Sequence, residues 1–181
     1  MMNTLEEYDK VISDCRKMYI LKMKDYGPSW RIMRPQTVND QLFIKAKRIR
    51  TIETTGVNLV GEDVRGELIA IVNYSIMGLI QLEKNYADSV DMSQDEALAL
   101  YDKYANEAKQ LMLRKNHDYG EAWRDMLPSS LTDIILTKIN RNKQIAANDN
   151  QTLISEGADG NYFDMINYAV FYLIKLMENE A

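Results

Sequence analysis

Apolar residues recur at helical spacing along most of the chain. A first amphipathic stretch predicts a helix over about residues 4–24, and a second begins near Thr37. A third stretch, over about residues 63–85, is apolar nearly all round, which is typical of a central, buried helix. The same order of three stretches returns after the polar residues 86–92. The pattern therefore predicts an all-α bundle of six helices, with the two third helices packed together.

One short motif occurs twice, and the chain is organised around its two copies. The motif D-Y-G-x-x-W-R covers residues 25–31 and 118–124, an offset of 93 residues that also aligns positions on both sides. One inserted residue raises the offset to 94 in the third helix. The repetition predicts two three-helix units: copy one, residues 1–85, and copy two, residues 93–181, joined by a linker at 86–92. Because neither unit looks large enough to bury its own apolar faces, we expect one compact domain with an internal pseudo-two-fold axis.

Composition and charge narrow the classes of partner. The 22 Lys and Arg residues against 27 Asp and Glu residues give a net charge of −5. That balance argues against binding to nucleic-acid backbones, but it leaves room for a small anionic ligand. Cys15 is the single cysteine, so we expect neither an internal disulfide nor a cysteine metal site. Neither a signal peptide nor a membrane-spanning stretch is recognisable, which indicates a cytoplasmic protein.

Polar residues interrupt the apolar third helix of each copy. In copy two Asn161, Asp164 and Asn167 are three residues apart, which places them on adjacent turns. The same positions in copy one hold Glu67, Ala70 and Asn73. A carboxylate buried in such a helix is costly unless it is paired, protonated or bound to a metal. A Mg²⁺ site is one interpretation, and the other is internal pairing, with Asn73 and Asn167 bonded to each other.

A basic pair lies on the second helix of each copy. Lys45 and Arg48 are three residues apart, and they return as Lys138 and Arg141. The lysine falls within the apolar stripe, where it needs an acidic partner or an anionic ligand. Arginine offers a planar fork to phosphate oxygens and lysine a point charge. The pair therefore either binds phosphate or neutralises an acid inside the bundle.

The ends of the helices supply aromatic and acidic candidates. The aromatic ones are Tyr26, Trp30, Tyr119 and Trp123. Each tyrosine–tryptophan pair lies beside an arginine, and it either stacks a nucleobase or plugs the core at a helix end. The acidic candidates are Asp25, Asp118, Glu62 and Glu156. Each acid either ligates a metal or accepts hydrogen bonds from backbone amides of a loop or a helix start.

These residues carry a resemblance to a known family. K-x-x-D-Y-G-x-x-W-R, then K-x-x-R, then an acid and D-x-x-N-Y resembles the nucleotide modification associated domain 1 family, here in tandem over nearly the whole chain. The resemblance implies a role in nucleotide metabolism or modification. A more distant similarity is to MazG-type all-α nucleoside triphosphate pyrophosphatases, which hold Mg²⁺ through E-x-x-E and E-x-x-D. This chain departs from that pattern, with Lys-x-x-Arg on its second helix and Asp164-x-x-Asn167 on its third.

Three functions follow as hypotheses, with a nucleotide as the partner. The apolar third helices suit either a homodimer or a pseudo-dimer within one chain. The three functions are Mg²⁺-dependent hydrolysis of a nucleoside triphosphate with its main site in copy two, non-catalytic nucleotide binding, and a purely structural scaffold. The catalytic candidates are Asp164 and Glu156. The metal candidates are Asp164, Glu156, Asn167, Glu67 and Asp118. The candidates for holding phosphate or base are Lys45, Arg48, Lys138, Arg141, Lys115, Arg124, Tyr119, Trp123, Tyr26 and Trp30.

Overall fold

Six α-helices account for most of the chain. The computed structural model describes residues 2–57, 63–148 and 157–180. Its helices are α1 (Thr4–Tyr26), α2 (Pro35–Thr55), α3 (Val64–Lys84), α4 (Gln94–Tyr119), α5 (Pro128–Ala147) and α6 (Ala158–Glu180). Single turns of 3₁₀ helix, Ser29–Ile32 and Ala122–Asp125, follow α1 and α4. The described residues contain no strand, so the predicted all-α bundle of six helices is confirmed.

Both copies begin with a helix that a polar side chain caps. Asn3 caps α1 by accepting a hydrogen bond from the backbone N–H of Glu6, one residue before the expected helix start. Ser93 caps α4, because its hydroxyl accepts a hydrogen bond from the backbone N–H of Glu96. These contacts satisfy amides that the first turn of a helix leaves without partners.

The second helix of each copy begins two residues earlier than the sequence suggested. Although Thr37 and Ser130 carry hydroxyl groups near these starts, α2 begins at Pro35 and α5 at Pro128, with no side-chain cap on either. Proline suits the first helical position because its fixed φ is already helical and because no amide hydrogen is needed there. The local start signal is therefore the proline.

The two third helices form the centre of the bundle. α3 packs directly on α6, α2 covers α3, α5 covers α6, and α2 also contacts α5. α1 and α4 contact each other, and each of them contacts both α3 and α6. Gly78 of α3 lies where a Cβ atom would come within 2.5 Å of the Tyr162 ring, so the two central helices approach closely at this point. None of the described helices is long and apolar enough to cross a membrane.

Buried asparagines connect the copies, but not to each other as one interpretation predicted. Asn73 accepts from the Tyr101 hydroxyl at 2.8 Å and donates to the Cys15 carbonyl at 3.0 Å. Asn167 likewise accepts from the hydroxyl of Tyr8, at 2.7 Å, and donates to the Ala108 carbonyl, at 3.1 Å. Each asparagine thus binds a tyrosine of the other copy, because α1 and α4 each contact both α3 and α6. The starts of α2 and α5 are also 93 residues apart and those of α3 and α6 are 94 apart, while the pseudo-two-fold axis itself stays a prediction.

Candidate functional site

In copy two the buried carboxylate of Asp164 lies between two ammonium groups. Lys115 of α4 places Nζ 2.8 Å from Oδ1, and Lys138 of α5 places Nζ 2.9 Å from Oδ2. Asp164 is only 6% exposed, whereas the side chains of Lys138 and Lys115 are 16% and 42% exposed. Burial raises the pKa of the neighbouring Tyr168, and the charge of Asp164 adds to that shift. Internal pairing therefore accounts for the carboxylate that the sequence singled out.

In copy one the buried carboxylate is Glu67, one turn earlier in the third helix. Arg48 donates to its Oε1, and Lys45 places Nζ 3.6 Å from its Oε2. Glu67 is 1% exposed, and no described residue donates a hydrogen bond to Oε2. A buried carboxylate oxygen without a donor is costly. Glu67 is thus only partly satisfied, unlike Asp164.

The remaining basic candidates lie apart from these pairs. Arg141 is exposed and contacts no carboxylate among the residues described. Arg124 instead ties together Glu7, Glu121 and Glu178, and its guanidinium lies 4.4 Å from the centre of the Trp123 ring. Arg124 therefore holds the first helix of copy one against the end of copy two, a structural contact between elements.

The repeated motif divides into buried tryptophans and exposed tyrosines. Trp30 and Trp123 are 5% and 4% exposed, so they plug the core at the ends of α1 and α4. Trp123 stacks on Phe171 with ring centres 4.3 Å apart and planes 2° apart. Tyr26 and Tyr119 are 78% and 72% exposed, and their faces remain open to a ligand. Of these four aromatic side chains, only the two tyrosines have an exposed ring face on which a base could stack.

A cavity of about 610 Å³ opens in copy one, between α1, the turn after it, α2 and α3. Its charged lining residues are Lys22, Lys45, Arg65, Asp25, Asp63 and Glu67. Aromatic and apolar walls come from residues that include Tyr26, Trp30, Tyr74 and Met77. Small-molecule sites commonly have this size and this mixture of apolar walls with a few polar groups. The cavity lies in copy one, although the sequence favoured copy two for the main site.

Two residues of copy one leave this space open. By the repeat alignment Ala70 stands at the position of Asp164, and Met77 at that of Phe171. Both line the cavity. Lys22 lines it too, and it forms no ion pair with any described residue, whereas its counterpart Lys115 is bound to Asp164. The repeat alignment shows that copy one has no acid at this position, although both lysines are present in each copy. The alignment does not show that the missing acid leaves open space.

The predicted Mg²⁺ ligands are not brought together. Glu156 and Glu62 lie outside the described residues. Asp118 is exposed and contacts His117, and both polar ends of the Asn167 amide are occupied by the hydrogen bonds given above. Within the described ranges no group of three or more His, Cys, Asp or Glu side chains could hold a metal. Glu67 lines the cavity, and its Oε2 atom accepts no hydrogen bond from a described residue, while Arg48 and Lys45 pair with the carboxylate.

The fold and the site define a class: an all-α tandem protein with two lysines at equivalent places in each copy. Lys22 and Lys45 line a cavity, and Lys115 and Lys138 bind the carboxylate of Asp164. A family model for nucleotide modification associated domain 1 matches residues 22–82 and 115–176, more than half of the chain. The chain belongs to this family, with two copies in tandem. Comparison with curated proteins and with solved structures gives no match. The similarity to MazG-type pyrophosphatases stays a prediction.

Proposed function

We propose that this chain binds a nucleoside phosphate in the copy-one cavity. The observation that carries the proposal is Lys22, an exposed residue that lines the cavity and forms no ion pair with a described residue. A cation beside an open cavity attracts an anionic ligand, and the family points to nucleotides as its class. The volume of about 610 Å³ lies within the range of small-molecule sites.

The lining offers separate places for phosphate and base. Lys22, Lys45 and Arg65 supply cationic donors, of which Arg65 also pairs with Asp14 at 3.1 Å. Tyr26 is 78% exposed and presents a flat face at the same cavity. A base stacked on this ring would leave the phosphate groups directed to the cations.

Hydrolysis of the bound nucleotide is a second candidate, which the unbonded Oε2 atom of Glu67 favours. Magnesium is often held by only one or two carboxylates together with phosphate oxygens. Glu67 would supply a ligand, and the ion would neutralise charge on the phosphates. Asp164, the sequence-based candidate for this role, lies between two lysines instead.

A binding experiment with a matched variant tests the proposal. Nucleoside mono-, di- and triphosphates are screened by thermal shift with and without Mg²⁺, and each positive is measured by calorimetry. We expect Lys22→Ala to raise Kd about tenfold, the loss of one charged contact. Lys17→Ala is the control, since Lys17 is exposed on the same helix and does not line the cavity. Absence of nucleotide binding, or equal Kd values for the two variants, would contradict the proposal.

Product analysis separates binding from hydrolysis. Each nucleotide that binds is incubated with Mg²⁺, and released phosphate and pyrophosphate are measured. If the second candidate holds, Glu67→Gln abolishes release while the protein still binds the nucleotide. Binding without any product would leave a nucleotide-binding module as the function.

A further inference from the structure

In copy two the protein itself supplies an anion, the carboxylate of Asp164, at a position where copy one has the uncharged Ala70. The Asp164 carboxylate bridges Lys115 and Lys138, with one oxygen directed to each ammonium group at 2.8 and 2.9 Å. These are ordinary lengths for hydrogen bonds between charged groups. The bridge therefore defines the geometry in which this pair of lysines holds one acidic group.

Copy one keeps the two lysines but has no acid at the position of Asp164; its own buried acid, Glu67, lies one turn earlier. Lys22 and Lys45 are the repeat counterparts of Lys115 and Lys138, and Ala70 is the counterpart of Asp164. All three line the copy-one cavity. Lys45 has the Oε2 atom of Glu67 at 3.6 Å, longer than a charged hydrogen bond, so its ammonium can still take a closer partner.

A second replacement enlarges the same space. Phe171 stacks flat on Trp123 in copy two, at 4.3 Å between ring centres. Its counterpart Met77 is an unbranched side chain that lines the cavity together with Trp30. Thus an acid and an aromatic ring are both built into copy two, and both are absent from the corresponding positions of copy one.

We propose that the Asp164 carboxylate marks, by repeat equivalence, where the ligand's phosphate group lies in copy one: beside Ala70, between Lys22 and Lys45. The equivalent place in copy two is then occupied by the Asp164 side chain, so the chain binds one nucleotide. This inference rests on the proposed function and assigns a position and a stoichiometry to it. A terminal phosphate has three oxygens, so two can accept from the lysines while the third faces the rest of the cavity.

The test introduces an aspartate into copy one at the position that corresponds to Asp164. Ala70→Asp is compared with Ala70→Asn, which has nearly the same shape but no charge, and with the wild type. Calorimetry with inorganic pyrophosphate and with adenosine triphosphate measures stoichiometry and Kd. We expect one site in the wild type, a Kd raised about tenfold or more in Ala70→Asp, and a clearly smaller increase in Ala70→Asn. Circular dichroism confirms that both variants fold.

A second measurement needs no ligand. Lysine acetylation followed by mass spectrometry compares the rates at Lys22 and Lys115, since an ion-paired amine reacts more slowly. Lys22 should react faster than Lys115 in the wild type and should be protected in Ala70→Asp but not in Ala70→Asn. Unprotected Lys22 in Ala70→Asp would show that an acid at this position does not reach the lysine, and it would overturn the inference.

The outcomes separate the inference from the proposed function. A wild type that binds neither nucleotide nor pyrophosphate overturns both. A wild type that binds, with an Ala70→Asp variant that binds equally well, overturns only the placement of the phosphate. Two sites per wild-type chain would overturn the closure of copy two by Asp164.

Discussion

Buried polar side chains in this protein are mostly satisfied by partners far away along the sequence. The Tyr101 hydroxyl donates to the buried Asn73, and nearer the surface Glu83 accepts from Lys103 and Tyr104, both at 2.6 Å. Such contacts stabilise the fold less by their own net energy than by avoiding an unpaired polar group in the core. Single substitutions that remove one partner are therefore informative.

Removing the Tyr101 hydroxyl should destabilise the bundle. Tyr101→Phe leaves the Asn73 Oδ1 atom, in a side chain that is 5% exposed, without its donor. We expect a loss of about 1–3 kcal/mol in the free energy of unfolding, measured by urea denaturation. Tyr86→Phe serves as the control, because Tyr86 is 52% exposed. A Tyr101→Phe variant as stable as the control would contradict the role of this hydrogen bond.

The Glu83 pair should make stability depend on acid pH. Hydrogen bonds from Lys103 and then Tyr104 lower the pKa of Glu83 from 4.5 to about 2. A carboxyl group whose pKa is lowered by folding stabilises the native state above its unfolded pKa, and this contribution is lost as pH falls through the folded value. Glu83→Gln should therefore be less stable than wild type at neutral pH, with a difference that shrinks between about pH 4.5 and 2.

Urea denaturation across that pH range measures the difference. Glu180→Gln is the control, since Glu180 is exposed at the end of α6 and has no ion pair among the described residues. Because the Glu83 pair lies near the surface, added salt should reduce the difference. A difference that stayed constant down to the lowest pH would refute the assignment.

At the scale of elements, the contact between α3 and α6 organises the molecule. Both helices are buried on nearly every side, and α1, α2, α4 and α5 pack around them. The close approach at Gly78 against Tyr162 depends on the absence of a side chain. The packed interior leaves little room for either helix to move apart.

Gly78→Ala should weaken this central contact. The added Cβ atom would lie 2.5 Å from the Tyr162 ring, which is 2% exposed and cannot turn away freely. Overpacking of this kind costs about 1–3 kcal/mol, which thermal or urea unfolding measures. Gly66→Ala is the matched control on the same helix, where the nearest atom lies at 3.6 Å. The control should be neutral or more stable, by up to about 1 kcal/mol, because alanine favours helix.

At the scale of the whole molecule, contacts between the copies repeat in reciprocal pairs. Arg16 binds Asp102 at 2.8 Å, and the corresponding Lys109 binds Asp9 at 2.7 Å. The tyrosine–asparagine bonds cross between the copies in the same reciprocal way. Each copy therefore completes the polar and apolar contacts of the other, and the copies should unfold together.

Separated copies should not fold alone. Fragments 1–92 and 93–181 each expose one central helix that the other copy normally covers. Small units with little buried surface are marginal, so we expect neither fragment to show a cooperative urea transition by circular dichroism. An independent cooperative transition in either fragment would contradict this expectation, and would make the predicted units true domains.

Several features of the candidate site could be identified from the sequence alone. The basic pairs, the exposed tyrosines and the acids of the third helices all stand out in the repeat, because each breaks a regular apolar pattern. The partner of each charge could not be identified, since Lys115 and Asp164 meet across 49 positions of chain. For the same reason the sequence favoured copy two for ligand binding, whereas the cavity lined by Lys22 and Lys45 lies in copy one.

The helices, the tandem repeat and the family follow from the sequence by itself, because periodicity, proline and glycine positions and motif spacing act over short stretches of chain. Only the tertiary structure decided that the tryptophans are buried, that the asparagines bind tyrosines, and that Asp164 closes copy two. These features depend on which side chains from distant helices share one volume. The sequence shows that Ala70 stands at the repeat position of Asp164. Only the packing of α1, α2 and α3 around Ala70 makes this position part of a cavity.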